Sequence, residues 1–441
     1  MNKHTIIFSR LRLALFCALS GFAVLTTAAQ TLDECQQAAE SNYPLIRRYD
    51  LVSQTTHLTL DNIDKGWLPQ VTAYAQATAQ SGVASLPEAL TDVLTRQGST
   101  TGGLKKEQYK IGVDVSQTVY DGGRMKWQKE VARREGEVEH ARVGTTLYGV
   151  RQRVNELYFG VLLVDEQLRF NEDLQALLLS SEQKVAAMVK SGTAATGDLA
   201  SLQAERYGAR QSAVELQSRR AALLRVLSLF VGREVTHASR PDAGTTTPAI
   251  VDAAGQDATN RPEVTLFNKQ MALLDARRKA LDARLRPTFS AFAQGYYGYP
   301  GFDMFHDMMH TNPTLNGMLG VRVAWNIGAL YTRKNDRAQL DVMRRQAGNE
   351  LDVFLFNNRL ETVRQAENLS KYRKLQAEDD EIIRLRAAVR KAAESKLAHG
   401  IIDVNDLVKE IHAENGAKIN RSTHEIEWLK ELYDMKYTVN R

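Results

Sequence analysis

The sequence predicts a mostly helical chain with transmembrane β-structure, built as a duplicated helix–strand–strand–helix repeat. Three observations predict it. Two stretches of about 65 residues run without proline, four segments of about 10–12 residues alternate polar and apolar side chains, and short motifs recur at an offset of about 205 to 218 residues. Long uninterrupted helix and strands of barrel-spanning length are the two signals that rarely share one chain.

Composition narrows the class. The chain has 441 residues, 43% of them hydrophobic and 25% charged, with only 9 prolines, as expected of a folded protein. Mean hydropathy is −0.35, and beyond residue 29 there is no run of 18 apolar residues, which excludes a polytopic helical membrane protein. The formal charge is +5, but Lys3, Arg10 and Arg12 lie in a segment expected to be removed, leaving about +2. That balance argues against a nucleic-acid partner.

Residues 1–29 have the form of a secretory signal peptide. Lys3, Arg10 and Arg12 make the positive region, Leu13 to Leu25 the apolar one, and Thr27-Ala28-Ala29 supplies small residues for cleavage. Phe16 precedes Cys17 where lipidation needs a small residue. The mature chain then keeps one cysteine, Cys35, read as a packed thiol at the start of a helix, and no internal disulfide.

The duplication sets the domain organisation. Trp67-Leu68-Pro69-Gln70 pairs with Leu285-Arg286-Pro287-Thr288, Val119-Tyr120-Asp121-Gly122-Gly123-Arg124 with Trp325-Asn326-Ile327-Gly328-Ala329-Leu330, and Gly192 with Asp198-Leu199 matches Gly400 with Asp406-Leu407. The first repeat is placed at 30–235, a linker or equatorial segment at 236–260 where Pro241, Gly244, Pro248 and Gly255 break every periodicity, and the second repeat at 261–441.

Each repeat is read in the same order. Helices over about 44–66 and 262–285 precede the first strand of each copy. The strands are placed at 69–80, 109–120, 287–297 and 315–326. In each, one alternate set is largely apolar (Val71, Ala73, Ala75; Ile111, Val113, Val115; Phe289, Ala291, Ala293; Leu319, Val321, Val323) and the other largely polar or small (Gln70, Thr72, Gln76; Lys110, Asp114, Ser116; Ser290, Gln294; Arg322). Long helices follow at 124–190 and about 333–398, each ~100 Å by helix rise, with apolar steps of three and four that suit a coiled coil. Returning helices occupy about 197–232 and 405–437. Set end to end with the shorter helix of their repeat, they match the long helix in length.

Strand count fixes the number of copies. Strands ~4.8 Å apart and tilted ~40° give four strands a diameter near 8 Å, too small to close, whereas twelve give ~24 Å and an aqueous lumen. Three chains are the smallest assembly that makes a pore, so a homotrimer with a 12-stranded barrel is expected. A soluble sheet with one buried face remains open on the strands alone. So does a trimeric coiled-coil structural or adhesive envelope protein, which accounts for the heptads but not the four duplicated strands.

The ordered set of motifs resembles the TolC-type outer-membrane efflux channels of Gram-negative bacteria over essentially the whole mature chain. The resemblance rests on Val119 to Arg124 at the strand–helix junction, Leu68-Pro69-Gln70, the paired Gly-x5-Asp-Leu turns, and Thr31-Leu32-Asp33 followed by Asn42-Tyr43-Pro44. The second copy departs from it, with Trp325-Asn326-Ile327-Gly328 in place of Asp-Gly-Gly. The resemblance implies an outer-membrane location, an α-helical periplasmic tunnel, and service as the passive outer channel of a tripartite efflux pump or type I secretion system. Its implied partners are a periplasmic adaptor, an inner-membrane transporter and outer-membrane lipid. It also implies that the helical tips, with Gly192, Thr193, Gly197 and Gly400, meet the adaptor, and that Asp406 lines a pore constriction. Asp403, one turn earlier, and Asp198 in the first copy are further candidates for an acidic ring, with helix capping as the alternative role for all three. Pro69, Pro287, Asp121, Gly122 and Gly123 are the junction residues.

No motif of a metalloprotease, redox dithiol, hydrolase nucleophile or nucleotide-binding loop occurs, so an enzyme and a cofactor are not expected. The segment Tyr299 to His310, rich in Met and His, has two readings: soft-metal ligands, or an extracellular loop packing on its neighbours. No metal site is assigned.

Overall fold

The computed structural model describes residues 31–98, 103–242, 255–256 and 258–440. The expected signal peptide and most of the expected linker lie outside them. The first copy consists of α1 (Leu32–Asn42), α2 (Arg47–Asp64), β1 (Gln70–Ala79), α3 (Glu88–Arg96), β2 (Glu107–Tyr120), α4 (Arg124–Lys190) and α5 (Thr196–Val231). The second consists of α6 (Pro262–Arg284), β3 (Thr288–Tyr299), α7 (Met304–Met309), β4 (Thr314–Ala324), α8 (Ala329–Ala398) and α9 (Val404–Val439).

The expected elements are present with small boundary shifts. The helix expected over 44–66 is interrupted at both ends by 3-10 turns, Pro44–Ile46 and Lys65–Trp67, because proline and glycine there shorten the regular span. Two short helices, α3 and α7, sit in the loops between strands. Cys35 is fully buried in α1, which Thr31 and Glu34 open with a capping box. Burial pushes its thiol up to about 11, which suits a packing role.

The two long helices run 67 and 70 residues. Buried positions of α4 fall at Val143, Leu147, Val150, Val154, Tyr158 and Val161, the mixed three- and four-step spacing that keeps one stripe on a partner. One core joins α1, α4, α5 and α9 around Leu32, Val154, Tyr158, Leu227 and Leu429. A second joins all four long and returning helices near the turns, around Leu178, Val185, Leu202, Leu407 and Ile411. Each returning helix ends beside the residues just ahead of the shorter helix of its copy. Asn42, at the end of α1, donates to the carbonyls of Leu229 and Phe230 in α5, and Asn440 donates to the Asn260 carbonyl just ahead of α6 at 2.6 Å. The end-to-end columns therefore exist in both copies.

The strands form one antiparallel sheet in the order β1-β2-β3-β4. Its register joins like with like. Val71, Val115, Ala293 and Leu319 share one row, and Ala75, Ile111, Tyr297 and Leu315 another; on the opposite face Thr72, Asp114, Gln294 and Met318 form a row. β1 and β4 are the two edges, and neither has a second strand partner among the described residues.

Candidate functional site

The first site is the sheet. A single sheet in water would show one apolar face to a core, but here the apolar face is bare: Val71, Ile111, Leu315, Leu319 and Val321 stand 62–86% exposed. The opposite face is the more crowded one. In β3 exposed and partly buried residues alternate, with Phe289, Ala291 and Ala293 exposed and Ser290, Phe292, Gln294 and Tyr296 occluded. Side chains crowd on the concave side of a curved sheet and splay on the convex side, so the polar set lies inside and the apolar set outside. All seven residues expected to face water, Gln70, Thr72, Gln76, Lys110, Asp114, Ser116 and Arg322, fall in the inner set of the register.

A bulge between Thr118 and Tyr120 re-aims the end of β2. It sets Tyr120 opposite Phe289, ring centres 5.9 Å apart. Both rings are exposed, as are Trp67 and Trp325 nearby in the chain; at the far end of the strands Tyr109 and Tyr297 are exposed too. Aromatic rings at both ends of an apolar outer band are the pattern of a sheet whose outer face meets lipid. No described helix is long and apolar enough to cross a membrane.

The second site is the strand–helix junction. Asp121 is buried and accepts from the backbone N–H groups of Gly123 and Met125 at 2.8 and 2.6 Å, fastening the first turn of α4. Gly122 and Gly123 hold φ of +69° and +85°, and a Cβ on Gly122 would lie 2.7 Å from Cβ of Arg286. The second copy turns differently. Gly328 has φ −60°, Asn326 accepts from the Ala329 N–H at 3.2 Å, and Trp325 Nε1 donates to the Leu285 carbonyl. The departure from Asp-Gly-Gly is thus a second solution to the same turn. Pro69 and Pro287 each precede the first residue of a strand, where a missing N–H costs no ladder bond.

The third site is the pair of helical turns. Gly192 and Gly400 have φ of +77° and +69°, and a Cβ on either would meet no atom within 4 Å. Thr193 Oγ1 donates to the Met188 carbonyl, while Gly197 sits in the first turn of α5 with open space around it. The three acids have distinct local roles. Asp403 is the N-cap of α9, accepting from the Asp406 N–H at 2.9 Å. Asp406 is half exposed and pairs with Lys409 at 3.3 Å. Asp198 accepts from the Ala195 N–H at 3.2 Å. Ser201 and Asn405, 3.0 Å apart, tie the two turns together.

In the loop between β3 and β4, Asp307 is buried and accepts from the Gly301 N–H, and Asn316 accepts from the Phe302 N–H. His306 and His310 stack on each other, centres 4.4 Å apart. Among the described residues no three His, Cys, Asp or Glu side chains gather as a metal site. Sequence reasoning missed the aromatic residues of the inner face, Tyr74, Phe292 and Tyr296, and the buried Arg261. The first had a readable signal, since all three are even-numbered like the polar set.

Residues 54–233 match the family described as outer membrane efflux protein. No curated protein matches the sequence. Solved structures with the same fold include the outer-membrane channel OprN (TM-score 0.67, 13% identity, 92% of this chain and 89% of that one). CusC is similar (TM-score 0.66, 13% identity, 93% and 92%). So is the CmeC outer membrane channel of Campylobacter jejuni (TM-score 0.62, 12% identity, 94% and 86%).

Proposed function

We propose, on the match of residues 54–233 to the outer membrane efflux protein family, that the chain is a member of that family and that three copies close into one passive conduit from periplasm to exterior. On this reading it is an outer-membrane efflux channel with a periplasmic extension, a transport protein rather than an enzyme. The observation that carries the three-chain reading is the sheet with two open edges and a bare apolar face. An unpaired edge inside a bilayer leaves a row of backbone groups unsatisfied, and only closure removes it. β4 of one chain on β1 of the next repeats the antiparallel order, and three chains of four strands make the twelve that leave a lumen.

The helices support the same arrangement. Val214 and Leu229 on α5 and Phe356 and Leu360 on α8 are 53–78% exposed in a single chain. They would be covered when columns from neighbouring copies meet. With a helical tube ~100 Å long, the turns at Gly192 and Gly400 reach deep into the periplasm and are where a periplasmic adaptor would dock, with an inner-membrane transporter supplying the energy. In a trimer, Asp406 would stand three times around the opening, with Asp403 and Asp198 acting mainly as caps.

Purified protein in detergent should have three times the chain mass by light scattering, and should conduct ions in a planar bilayer. A monomer or dimer without conductance would overturn the reading.

A further inference from the structure

The inner face of the sheet carries cations laid on aromatic rings. Lys110 Nζ lies 5.8 Å from the ring centre of Tyr74 and 5.7 Å from that of Tyr296. The Arg322 guanidinium lies 5.0 Å from the ring centre of Phe292. Glycines make this possible. A Cβ on Gly112 would meet Cβ of Tyr296 at 2.6 Å and Cζ of Tyr74 at 3.0 Å, and one on Gly320 would meet the Phe292 ring at 2.9 Å. The rings therefore lie down over bare backbone, hug the wall, and present their faces to the cations. Gln294 fixes one of them by donating to the Tyr74 hydroxyl at 3.1 Å.

The charge count on this face is short. Lys110 and Arg322 are its two cations and Asp114 its one acid. Neither cation forms an ion pair among the described residues. Lys110, Asp114 and the row of Arg322 succeed one another along the wall at steps of about 13 Å, four residues of strand each. Lys110 stands nearer the outer end, Arg322 nearer the helices. A ring of fixed like charges in a narrow lumen attracts the opposite ion.

The geometry points to the barrel as an anion-admitting exit, with Lys110 and Arg322 as its specificity-determining residues and anionic solutes as the class they favour. The inference rests on the three-chain channel reading, which triples each charge into a ring. It sets the barrel against the acidic tips, which favour cations at the opposite end of the same conduit. Flat aromatic rings hold the cations in place without narrowing the passage, as an opposing carboxylate on this face would.

The test is the reversal potential of the full-length protein in planar bilayers under a KCl gradient. Replacing Lys110→Gln and Arg322→Gln together should raise the potassium-to-chloride permeability ratio at least about twofold, and Asp114→Asn should lower it. If the double variant fails to insert, each single variant and Asp114→Asn carry the same comparison. Conducting channels with one unchanged ratio would overturn the inference. An unmodified protein that does not conduct would overturn the channel reading instead, and this inference with it.

Discussion

Arg261 holds Tyr437 in two ways: its Nη1 donates to the Tyr437 carbonyl at 2.9 Å, and its guanidinium lies 4.6 Å from the centre of the Tyr437 ring. Tyr148 stacks on the same ring at 4.7 Å and donates to the same carbonyl at 2.7 Å. Glu263 accepts two hydrogen bonds from the guanidinium, at 2.6 and 2.9 Å. One buried cation thus joins the start of α6, the middle of α4 and the end of α9, at the level where the columns of the second copy abut. Arg261→Ala should destabilise the protein by about 2–3 kcal/mol, because the Tyr437 carbonyl and the half-buried Glu263 lose a shared charged donor and the rings lose their cation. Arg261→Lys should recover only part of this, since an ammonium can neither make the fork nor lie flat on two rings. Thermal unfolding of the three proteins measures it; equal midpoints would remove the lock.

A charge on the outer face of the sheet should impair membrane insertion, and the same charge inside should not. Val113→Lys or Val321→Lys is expected to cost about 2–4 kcal/mol per site near the midplane, while Ser116→Lys is tolerated. The amount of folded protein recovered in outer-membrane fractions reads the difference. Equal recovery would reverse the assignment of faces.

Gly192→Val and Gly400→Val should abolish export while leaving the assembled protein intact. The space around both glycines is open, so the whole penalty comes from a left-handed backbone, about 1–2 kcal/mol for an L-residue. That is too little to unfold helices of this length but enough to distort the turn. Loss of the assembly itself would count against a docking role.

Asp406→Asn should lower cation selectivity and relieve block by multivalent cations from the periplasmic side. Asp403→Asn should change selectivity less, because the amide keeps the cap, whereas Asp403→Ala should cost about 1 kcal/mol of stability. Single-channel recordings and thermal unfolding separate the two roles. Unchanged selectivity in both Asn variants would place the constriction elsewhere.

Glu414 on α9 is the acid to watch as pH falls. Burial pushes its carboxyl up, but hydrogen bonds from Lys418 and Arg390 prevail and hold it below its ordinary value of 4.5. A depressed carboxylate contributes stability that is present above 4.5 and lost as pH drops through the folded-state value. The stability gap between the natural protein and Glu414→Gln should therefore be constant at neutral pH and shrink below about pH 4.5. A gap independent of pH would show that the network does not report on ionisation.

Much of the fold could be read in the sequence because its signals are long. Gly123 and Gly192, both left-handed, mark the two ends of α4 within a stretch that holds no proline, and period two marks the strands. The helices α3 and α7 escaped because nine and six residues hold too few turns for a periodic pattern. The Arg261 lock escaped for another reason: its partners are about 110 and 180 residues away, and no local pattern announces them. At the tips the acids were legible, but their division of labour was not. A cap and a surface acid three residues apart look alike until the N–H groups they face are known.

The open edges of the sheet also order events in time. A lone chain leaving the inner membrane has two unsatisfied strand rims and an oily face, and neither the bilayer nor water accommodates both. If three copies close one barrel, membrane entry waits on company: the copies must meet, or be held apart by an escort that covers β1 and β4, before any strand can reach lipid. Such an assembly route would include an interval as an unassembled sheet, when edge-to-edge pairing competes with closure. The margin for error would then lie in how quickly the second and third chains arrive.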